Sequence, residues 1–273
     1  MNSKRDARDS TILREYAKGD EKLFQSCLER RKKGEPVAYI TGTKEFWSIP
    51  IQVTPDVLIP RPETEHLVEA ALKKMPADMP CHVLDIGTGS GCIIAALATE
   101  RKLATFVGID TSKAALKVAR QNLEFVRERV QLIRTPPPLP SPPPNGRRAG
   151  TRGEGDFFPS PLMGEGQGEG ETFDLIVSNP PYIPTADIET LDPDVRDYEP
   201  RSALDGGPDG LAIYRQIFQD ACKFLKLGGW LLLEMGQGQC DSLAALMRKT
   251  GLSQIAWHKD LAGIDRVIEG EKT

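Results

Sequence analysis

HVLDIGTGSGCIIAALA, residues 82–98, is the stretch of sequence that decides the fold of this chain. Residues 82–86 predict a short buried strand, and the apolar run at 92–98 predicts a buried helix. Three glycines lie in the five residues between them, and a glycine backbone can adopt positive φ and approach a ligand closely because it has no Cβ. A strand, a glycine loop and a helix in this order predict a ligand site at the carboxyl end of the strand.

The spacing of the glycines distinguishes two kinds of cofactor site. A dinucleotide-binding loop follows the pattern Gly-x-Gly-x-x-Gly, whose last glycine would fall on Cys92. Asp110 ends the next predicted strand, where a carboxylate can accept both ribose hydroxyls of an adenosine. The loop and the acid alone leave a methyltransferase, a dehydrogenase and an empty tight turn open. Asp85 is expected either to brace the loop or to approach the sulfonium end of a methyl donor.

Strands and helices alternate on both sides of this stretch. Apolar runs predict strands at 104–109, 130–133, 173–178 and 230–235, and amphipathic runs predict helices after residue 64 and at 113–126. Such alternation is typical of an α/β protein with a mostly parallel sheet and helices on both faces. Ligands of these sheets lie at the carboxyl ends of the strands, which is where the glycine loop is.

Three segments differ from this pattern. Residues 1–35 are rich in charge and helix formers and predict a small helical segment. Residues 36–59 predict a β-hairpin that connects it to the main domain at 60–273. Residues 134–171 contain nine of the 22 prolines and eight of the 25 glycines, so they predict a low-complexity insertion between two core strands, without a regular packed element.

A second motif, Asn179-Pro180-Pro181-Tyr182, follows the predicted strand at 173–178 and so lies at the same sheet edge as the glycine loop. An amide or exocyclic amino nitrogen is a poor nucleophile because its lone pair is delocalised, so catalysis requires that the NH₂ group be held and oriented. The Asn179 side-chain carbonyl and the Pro180 backbone carbonyl can accept its two N–H bonds. The prolines fix these acceptors, and Tyr182 offers an aromatic face to a flat substrate. The motif predicts catalysis by Asn179, Pro180 and Tyr182, and substrate binding by all four residues including Pro181.

Composition argues against several other classes of protein. The chain has 35 Lys and Arg against 39 Asp and Glu and a pI of about 5.6, so we expect no general attraction to nucleic acid or to an anionic membrane. Its five cysteines form no Cys-x-x-Cys pair and its three histidines have no metal-ligand spacing, so we predict no metal site and a reducing, cytoplasmic setting. No apolar run reaches the ~18 residues that a membrane span needs.

Several blocks, in order from about Arg30 to the end of the chain, resemble the bacterial peptide chain release factor N(5)-glutamine methyltransferases of the HemK/PrmC family. The blocks are GEPVAYITG at 34–42, LIPRPETE at 58–65, DIGTGSG at 85–91, NPPYI at 179–183, YEP at 198–200 and GGPDGL at 206–211. The resemblance implies a Rossmann-like class I methyltransferase with a seven-stranded sheet and S-adenosyl-L-methionine as methyl donor. It implies methylation of the glutamine side-chain amide in the Gly-Gly-Gln loop of class I release factors.

The resemblance also implies roles for particular residues. Residues 179–182 would hold the glutamine, and the cofactor would lie against Gly87, Thr88, Gly89, Ser90, Gly91, Asp110 and Asn179. The chain departs from the family's pattern in two places. The helical segment at 1–35 is shorter than the domain that helps to grip the release factor in this family. The insertion falls where the family has an acidic-aromatic turn beside the adenine, so Phe157 in Asp156-Phe157-Phe158 is the expected stacking residue.

Three other functions stay open at this point. The chain could methylate a glutamine of a ribosomal protein, methylate an amino group of a nucleic acid with the same loop, or bind the cofactor without turnover. A DNA enzyme needs a sizeable basic target-recognition region. Only the small N-terminal segment, with Arg30-Arg31-Lys32-Lys33 at its end, is available for that role.

Overall fold

The computed structural model describes residues 3–136 and 172–273 of the chain. Its helices are α1 Ser3–Ala17, α2 Glu21–Lys32, α3 Val37–Thr41, α4 Glu65–Lys74, α5 Cys92–Glu100, α6 Lys113–Asn122, α7 Pro193–Arg196, α8 Ala212–Phe224 and α9 Cys240–Lys249. Its strands are β1 Thr43–Phe46, β2 Ile49–Gln52, β3 His82–Ile86, β4 Thr105–Asp110, β5 Val130–Arg134, β6 Phe173–Ser178, β7 Leu225–Glu234, β8 Leu252–Lys259 and β9 Asp265–Lys272.

A seven-stranded sheet in the order β5-β4-β3-β6-β7-β9-β8 forms the centre of the fold. The first five strands of this order run parallel, and β9 pairs antiparallel with both β7 and β8. The mostly parallel α/β sheet predicted from the sequence is therefore confirmed. Because β3, β4 and β6 are parallel neighbours, their carboxyl ends meet at one edge of the sheet.

Each face of this sheet is covered by helices. Side chains of a strand alternate between faces, so Val83 lies in one core cluster and its neighbour Leu84 in the other. The first cluster includes buried residues of α4, α5 and α6, and the second includes those of α8 and α9. Helix α5 is apolar around its whole circumference, and Cys92 to Ala98 are all buried. A helix of this composition is stable only inside a core, and its burial fixes the position of the glycine loop before it.

The N-terminal segment packs around a small core of its own. Leu13 of α1, Phe24 of α2 and Ile40 of α3 are buried in this cluster. Two of the four consecutive basic residues at the end of α2 are paired: Arg30 Nε donates to Glu35 at 2.7 Å, and Arg31 Nε donates to Asp9 at 2.7 Å. These ion pairs neutralise part of the basic stretch.

The connector contains a shorter hairpin than the one predicted over 36–59. The hairpin comprises only β1 and β2, and its two-residue turn has positive φ at Trp47 (53°) and Ser48 (57°), as a hairpin turn of the I′ type requires. The preceding residues form a helical turn, in which the Pro36 carbonyl accepts the backbone N–H groups of Tyr39 and Ile40 at 3.0 and 3.1 Å. The side chain of Tyr39 packs in the main core and that of Ile40 in the N-terminal core. Gly42, with φ of 74°, ends this helix in the left-handed conformation.

Two element bounds also differ from the predictions. Helix α6 ends at Asn122, and a 3₁₀ helix at Glu124–Arg129 continues the segment. Strand β7 begins at Leu225, ahead of the predicted start at 230, and its pairing with β6 shifts register between Phe173 and Leu175. Among the residues described, no helix is long and apolar enough to cross a membrane.

Candidate active site

A cavity of about 360 Å³ lies at the carboxyl edge of the sheet, where β3, β4 and β6 end. It is lined by the whole glycine loop apart from Gly91, by Asp110 at the end of β4, and by Asn179, Pro180 and Pro181 after β6. The structure therefore brings together the two motifs that the sequence separates by 87 residues, 92–178. Further lining residues come from the segments 56–64 and 200–205.

The glycine loop holds a conformation that residues with a Cβ resist. Gly87, Gly89 and Gly91 have φ values of 72°, 54° and 78°. A Cβ on Gly91 would also lie 3.3 Å from Ala119 of α6 and 3.0 Å from the side chain of Leu123, the residue after α6, so this glycine allows close packing there as well as the turn. The backbone N–H groups of Gly87 and Thr88 donate to the carbonyl of Ile109 on β4 at 2.8 and 3.0 Å. The loop is thus fixed to the neighbouring strand.

Asp85, at the fourth position of β3, stabilises the glycine loop through a hydrogen bond with Thr88. Its side chain is fully buried, and Oδ2 accepts a hydrogen bond of 2.7 Å from the Thr88 hydroxyl. Burial raises the pKa of Asp85 to about 7, the Thr88 hydrogen bond lowers it, and the charge of Asp110 raises it. Oδ1 has no partner among the described residues. Asp85 does not line the cavity, so the geometry supports the bracing interpretation rather than direct approach to the cofactor.

Asp110 faces the cavity at the end of β4. Its Oδ2 accepts the Gly89 N–H at 2.9 Å and its Oδ1 accepts the Ser112 N–H at 2.8 Å. Burial raises its pKa, and these backbone hydrogen bonds oppose the shift. An ionised carboxylate has about four lone-pair sites, so each oxygen can still accept a hydroxyl donor. Asp110 thus keeps acceptor capacity in the cavity, and its predicted binding of the two ribose hydroxyls of an adenosine stays a prediction.

Asn179 and Pro180 reach the cavity directly from the end of β6. The hydroxyl of Ser178 donates to the Ile86 carbonyl at 2.6 Å and joins the ends of β6 and β3. Asn179 Nδ2 donates to the Thr64 hydroxyl at 3.1 Å, whereas no described residue donates to Asn179 Oδ1. The free acceptor of this amide is therefore available to a ligand in the cavity.

Tyr182 is placed differently from the other members of the motif. Its ring packs against the second core cluster, it does not line the cavity, and its hydroxyl lies 3.5 Å from Glu234 Oε1. Its backbone carbonyl accepts a hydrogen bond of 3.0 Å from Gln239 Nε2. These contacts turn the ring away from the position expected for stacking on a substrate, and the predicted catalytic role of Tyr182 stays a prediction.

The segment after α7 is hydrogen-bonded to Ile183, the residue that follows the Asn-Pro-Pro-Tyr loop. Ile183 N donates to the Leu204 carbonyl at 3.1 Å, and Gly206 N donates to the Ile183 carbonyl at 2.8 Å. A Cβ on Gly206 would lie 2.8 Å from Tyr182 Cα and 2.8 Å from the Gly210 carbonyl oxygen. Only glycine permits this approach of two backbone segments, which explains the first glycine of the block at 206–211.

Sequence reasoning assigned no role to several residues that form the site. Arg61 lines the cavity and pairs with the buried carboxylate of Glu199, whose second oxygen accepts the Ile59 N–H at 3.1 Å. Thr64, at the start of α4, holds the Asn179 amide. The blocks at 58–65 and 198–200 that carry the family resemblance were the only signal for these residues. Phe157 lies outside the described residues, and within the described residues no cluster of ligands suits a metal ion.

This fold and this site define a class I methyltransferase that depends on S-adenosyl-L-methionine. The seven-stranded sheet, the glycine loop after β3 and the acid at the end of β4 are the features of that class. A family model described as a methyltransferase domain matches residues 78–132, and one described as the PrmC N-terminal domain matches residues 13–42.

Curated relatives identify the family within this class. A release factor glutamine methyltransferase from Geobacter sulfurreducens is 45% identical over 246 residues, which cover 90% of this chain and 76% of that protein. The protein of the same name from Salmonella typhimurium is 37% identical, with 97% of this chain and 92% of that protein covered. The chain therefore belongs to the release factor glutamine methyltransferase family.

Solved structures show the same fold at low sequence identity. A methyltransferase from Pyrococcus furiosus superposes with a TM-score of 0.53 at 18% identity, covering 91% of this chain and 97% of that one. The N-terminal domain of human METTL16 in complex with SAH superposes with a TM-score of 0.53 at 15% identity, covering 83% and 77%.

Proposed function

We propose that this chain transfers the methyl group of S-adenosyl-L-methionine to the side-chain amide nitrogen of the glutamine in the Gly-Gly-Gln loop of class I peptide chain release factors. One observation carries the proposal: Asn179 presents a free carbonyl oxygen in the same cavity as the glycine loop, while its NH₂ group is held by Thr64. The curated relatives named for release factor glutamine methylation support the choice of substrate.

The proposed chemistry assigns three tasks to the residues of the cavity. Residues 87–91 and Asp110 hold the cofactor, which supplies an activated methyl group on a positively charged sulfur when bound. Asn179 Oδ1 and the Pro180 carbonyl would accept the two N–H groups of the glutamine and so orient its amide plane, with the nitrogen lone pair, which is perpendicular to that plane, towards the methyl group. The nitrogen would lose one of these two protons as it gains the methyl group. Buried Pro180 and its neighbour Pro181 keep these acceptors fixed before the substrate arrives.

Tyr182 has an indirect task in this scheme. Its backbone carbonyl and its ring are held by Gln239 and by the second core cluster. We therefore propose that it anchors the end of the loop whose start holds the glutamine.

We also propose the division of the chain that the sequence indicated. Residues 1–35 would contact the release factor, and residues 60–273 would form the catalytic domain. Residues 36–59 would connect these two parts. The core of the N-terminal segment and the family-model match at 13–42 support a distinct N-terminal unit, and both extend past residue 35, to Ile40 and to residue 42.

We propose that the chain acts in the cytoplasm, without direct contact with nucleic acid or membrane. The net charge of −4 and the ion pairs of Arg30 and Arg31 support the absence of a nucleic-acid site. The five cysteines, all free, suit a reducing compartment.

Transfer of labelled methyl from the cofactor tests the proposal. The acceptors are a purified release factor, the same factor with the Gly-Gly-Gln glutamine replaced, ribosomes and DNA. We expect label on the unmodified release factor alone. Label that persists after replacement of the glutamine would refute the proposed target, and label on ribosomes would favour a ribosomal-protein substrate. A folded sample that binds no S-adenosyl-L-methionine in calorimetry would refute an enzymatic function altogether.

A further inference from the structure

Three polar side chains form a line that runs from the cavity into the interior of the protein. Asn179 Nδ2 donates to the hydroxyl of Thr64 at 3.1 Å, and Thr64 is in turn a hydrogen-bonding neighbour of the Glu234 carboxylate. Thr64 and Glu234 are 2% and 1% exposed, so water does not compete for these groups. They come from different elements, since Thr64 precedes α4, Glu234 ends β7 and Asn179 follows β6.

When Glu234 is ionised, the inner end of this line determines the direction of hydrogen bonding. An ionised carboxylate can only accept hydrogen bonds, so the Thr64 hydroxyl must give its single proton to Glu234. The hydroxyl oxygen then has only lone pairs left for Asn179. It must meet the NH₂ group of the amide, because Asn179 Oδ1 is itself an acceptor and cannot pair with another acceptor. The amide is thereby held with Oδ1 on the other side.

Glu234 is buried, and its carboxylate oxygen Oε2 has no hydrogen-bond partner among the described residues. Its Oε1 lies 3.5 Å from the Tyr182 hydroxyl, and its backbone carbonyl accepts a hydrogen bond of 2.6 Å from Tyr214. Burial raises the pKa of Glu234 to about 7, the Thr64 hydrogen bond and the charge of Arg266 lower it, and the charge of Glu63 raises it. Above that pH the carboxylate is the main form and only accepts.

We infer that Thr64 is a positioning residue for methyl transfer: its hydroxyl, aligned by Glu234, fixes the Asn179 amide with its carbonyl oxygen towards the substrate nitrogen. This inference rests on the proposed function. It adds a reason why the site selects an NH₂ group, since a flipped amide would present a donor to another donor. It also assigns a role to two residues that do not bear the reacting atoms.

Substitution of Thr64 separates the hydroxyl from the shape of the side chain. Thr64→Val keeps the shape and removes the hydroxyl, so the Asn179 amide can rotate. We expect kcat for release factor methylation to fall about tenfold, the equivalent of one hydrogen bond, with KM for the release factor little changed. Thr64→Ser keeps the hydroxyl and should restore most of kcat. Thr99→Val removes a hydroxyl that bonds only to the Ala95 carbonyl in α5 and serves as the matched control.

A second substitution tests the inner end of the line. Glu234→Gln replaces an obligate acceptor by a group that can also donate, so the direction of hydrogen bonding is no longer determined. We expect kcat to fall in this variant and the double variant with Thr64→Val to lose less than the product of the two single losses, because Glu234 acts on the Asn179 amide through the Thr64 hydroxyl. Wild-type kcat in Thr64→Val, an equal loss in Thr99→Val, or additive losses in the double variant would each overturn the inference.

A readout without turnover distinguishes failure of this inference from failure of the proposed function. NMR measures the rate at which the Asn179 side-chain NH₂ protons exchange with solvent. We expect slow exchange in the wild type and in Thr64→Ser, and fast exchange in Thr64→Val. Equal exchange in all three overturns the inference, even if the wild type methylates its release factor. Protected exchange in a protein that methylates no release factor would refute the proposed substrate alone.

Discussion

Replacing Gly206 by alanine tests whether the segment at 206–211 fixes the Asn-Pro-Pro-Tyr loop. The new Cβ would lie 2.8 Å from Tyr182 Cα and 2.8 Å from the Gly210 carbonyl oxygen, whereas ordinary contact begins at 3.4 Å. Both neighbours are backbone atoms that no rotamer change can move, so the two segments must separate by about 0.6 Å. Overpacking of this kind costs ~1–3 kcal/mol of folding free energy. A misplacement of ~1 Å in a catalytic site can cost ~100-fold in rate, so we expect kcat to fall by ~10-fold or more.

Gly251→Ala is the matched control for this prediction. Gly251 has φ of 84° and nothing within 4 Å of its ideal Cβ, so alanine there introduces backbone strain far from the loop without a clash. Both variants should lose stability in urea denaturation, at a cost of ~1–2 kcal/mol for the left-handed alanine. Only Gly206→Ala should lose methylation activity when both are assayed well below their unfolding midpoints. Equal specific activities in the two variants would refute a positioning role for the glycine segment.

Two further predictions concern the brace under the glycine loop. Thr88→Val leaves the buried Asp85 carboxyl without its hydroxyl partner, so the free energy of unfolding measured in urea should fall by ~1–3 kcal/mol. Thr88→Ser should recover most of this loss. A valine variant as stable as the wild type would contradict the stabilising role of this hydrogen bond. The raised pKa of Asp85, about 7, means that the folded state keeps a proton which the unfolded state releases near pH 4, so stability should fall as pH rises between these values. Asp85→Asn should flatten that slope in denaturation curves, although Glu234 retains part of it, and parallel curves for the two proteins would contradict the assignment.

Much of the site followed from the order of the strands. Residues that directly follow parallel strands meet at one sheet edge, so the glycine loop, Asp110 and Asn179 were predicted to lie together, and the cavity contains all three. No knowledge of side-chain contacts was needed for this, because the topology alone sets the positions.

The remaining features depend on packing between segments that are distant in sequence. Thr64 lies 115 residues before its partner Asn179, and no local pattern specifies that contact. The ring of Tyr182 lies outside the cavity because its hydroxyl lies near Glu234 of β7 and its backbone carbonyl accepts a hydrogen bond from Gln239, in the loop after β7. Residues 37–41 form a helix instead of the predicted strand, and they pack against both the main core and the N-terminal core, contacts that no local pattern specifies. Tertiary packing overrides local preference at such positions.

The central claim is that Asn179 orients the substrate nitrogen and does little to hold the cofactor. The measurement that tests it most directly compares Asn179→Ala with the wild type in two assays, calorimetric binding of S-adenosyl-L-methionine and single-turnover methylation of a release factor. We expect the dissociation constant to stay close to the wild-type value, while the methylation rate falls by ~100-fold or more because a preorganised polar group is lost. An unchanged rate would remove Asn179 from the mechanism, and a loss of cofactor binding that accounts for the whole rate loss would contradict the claim equally.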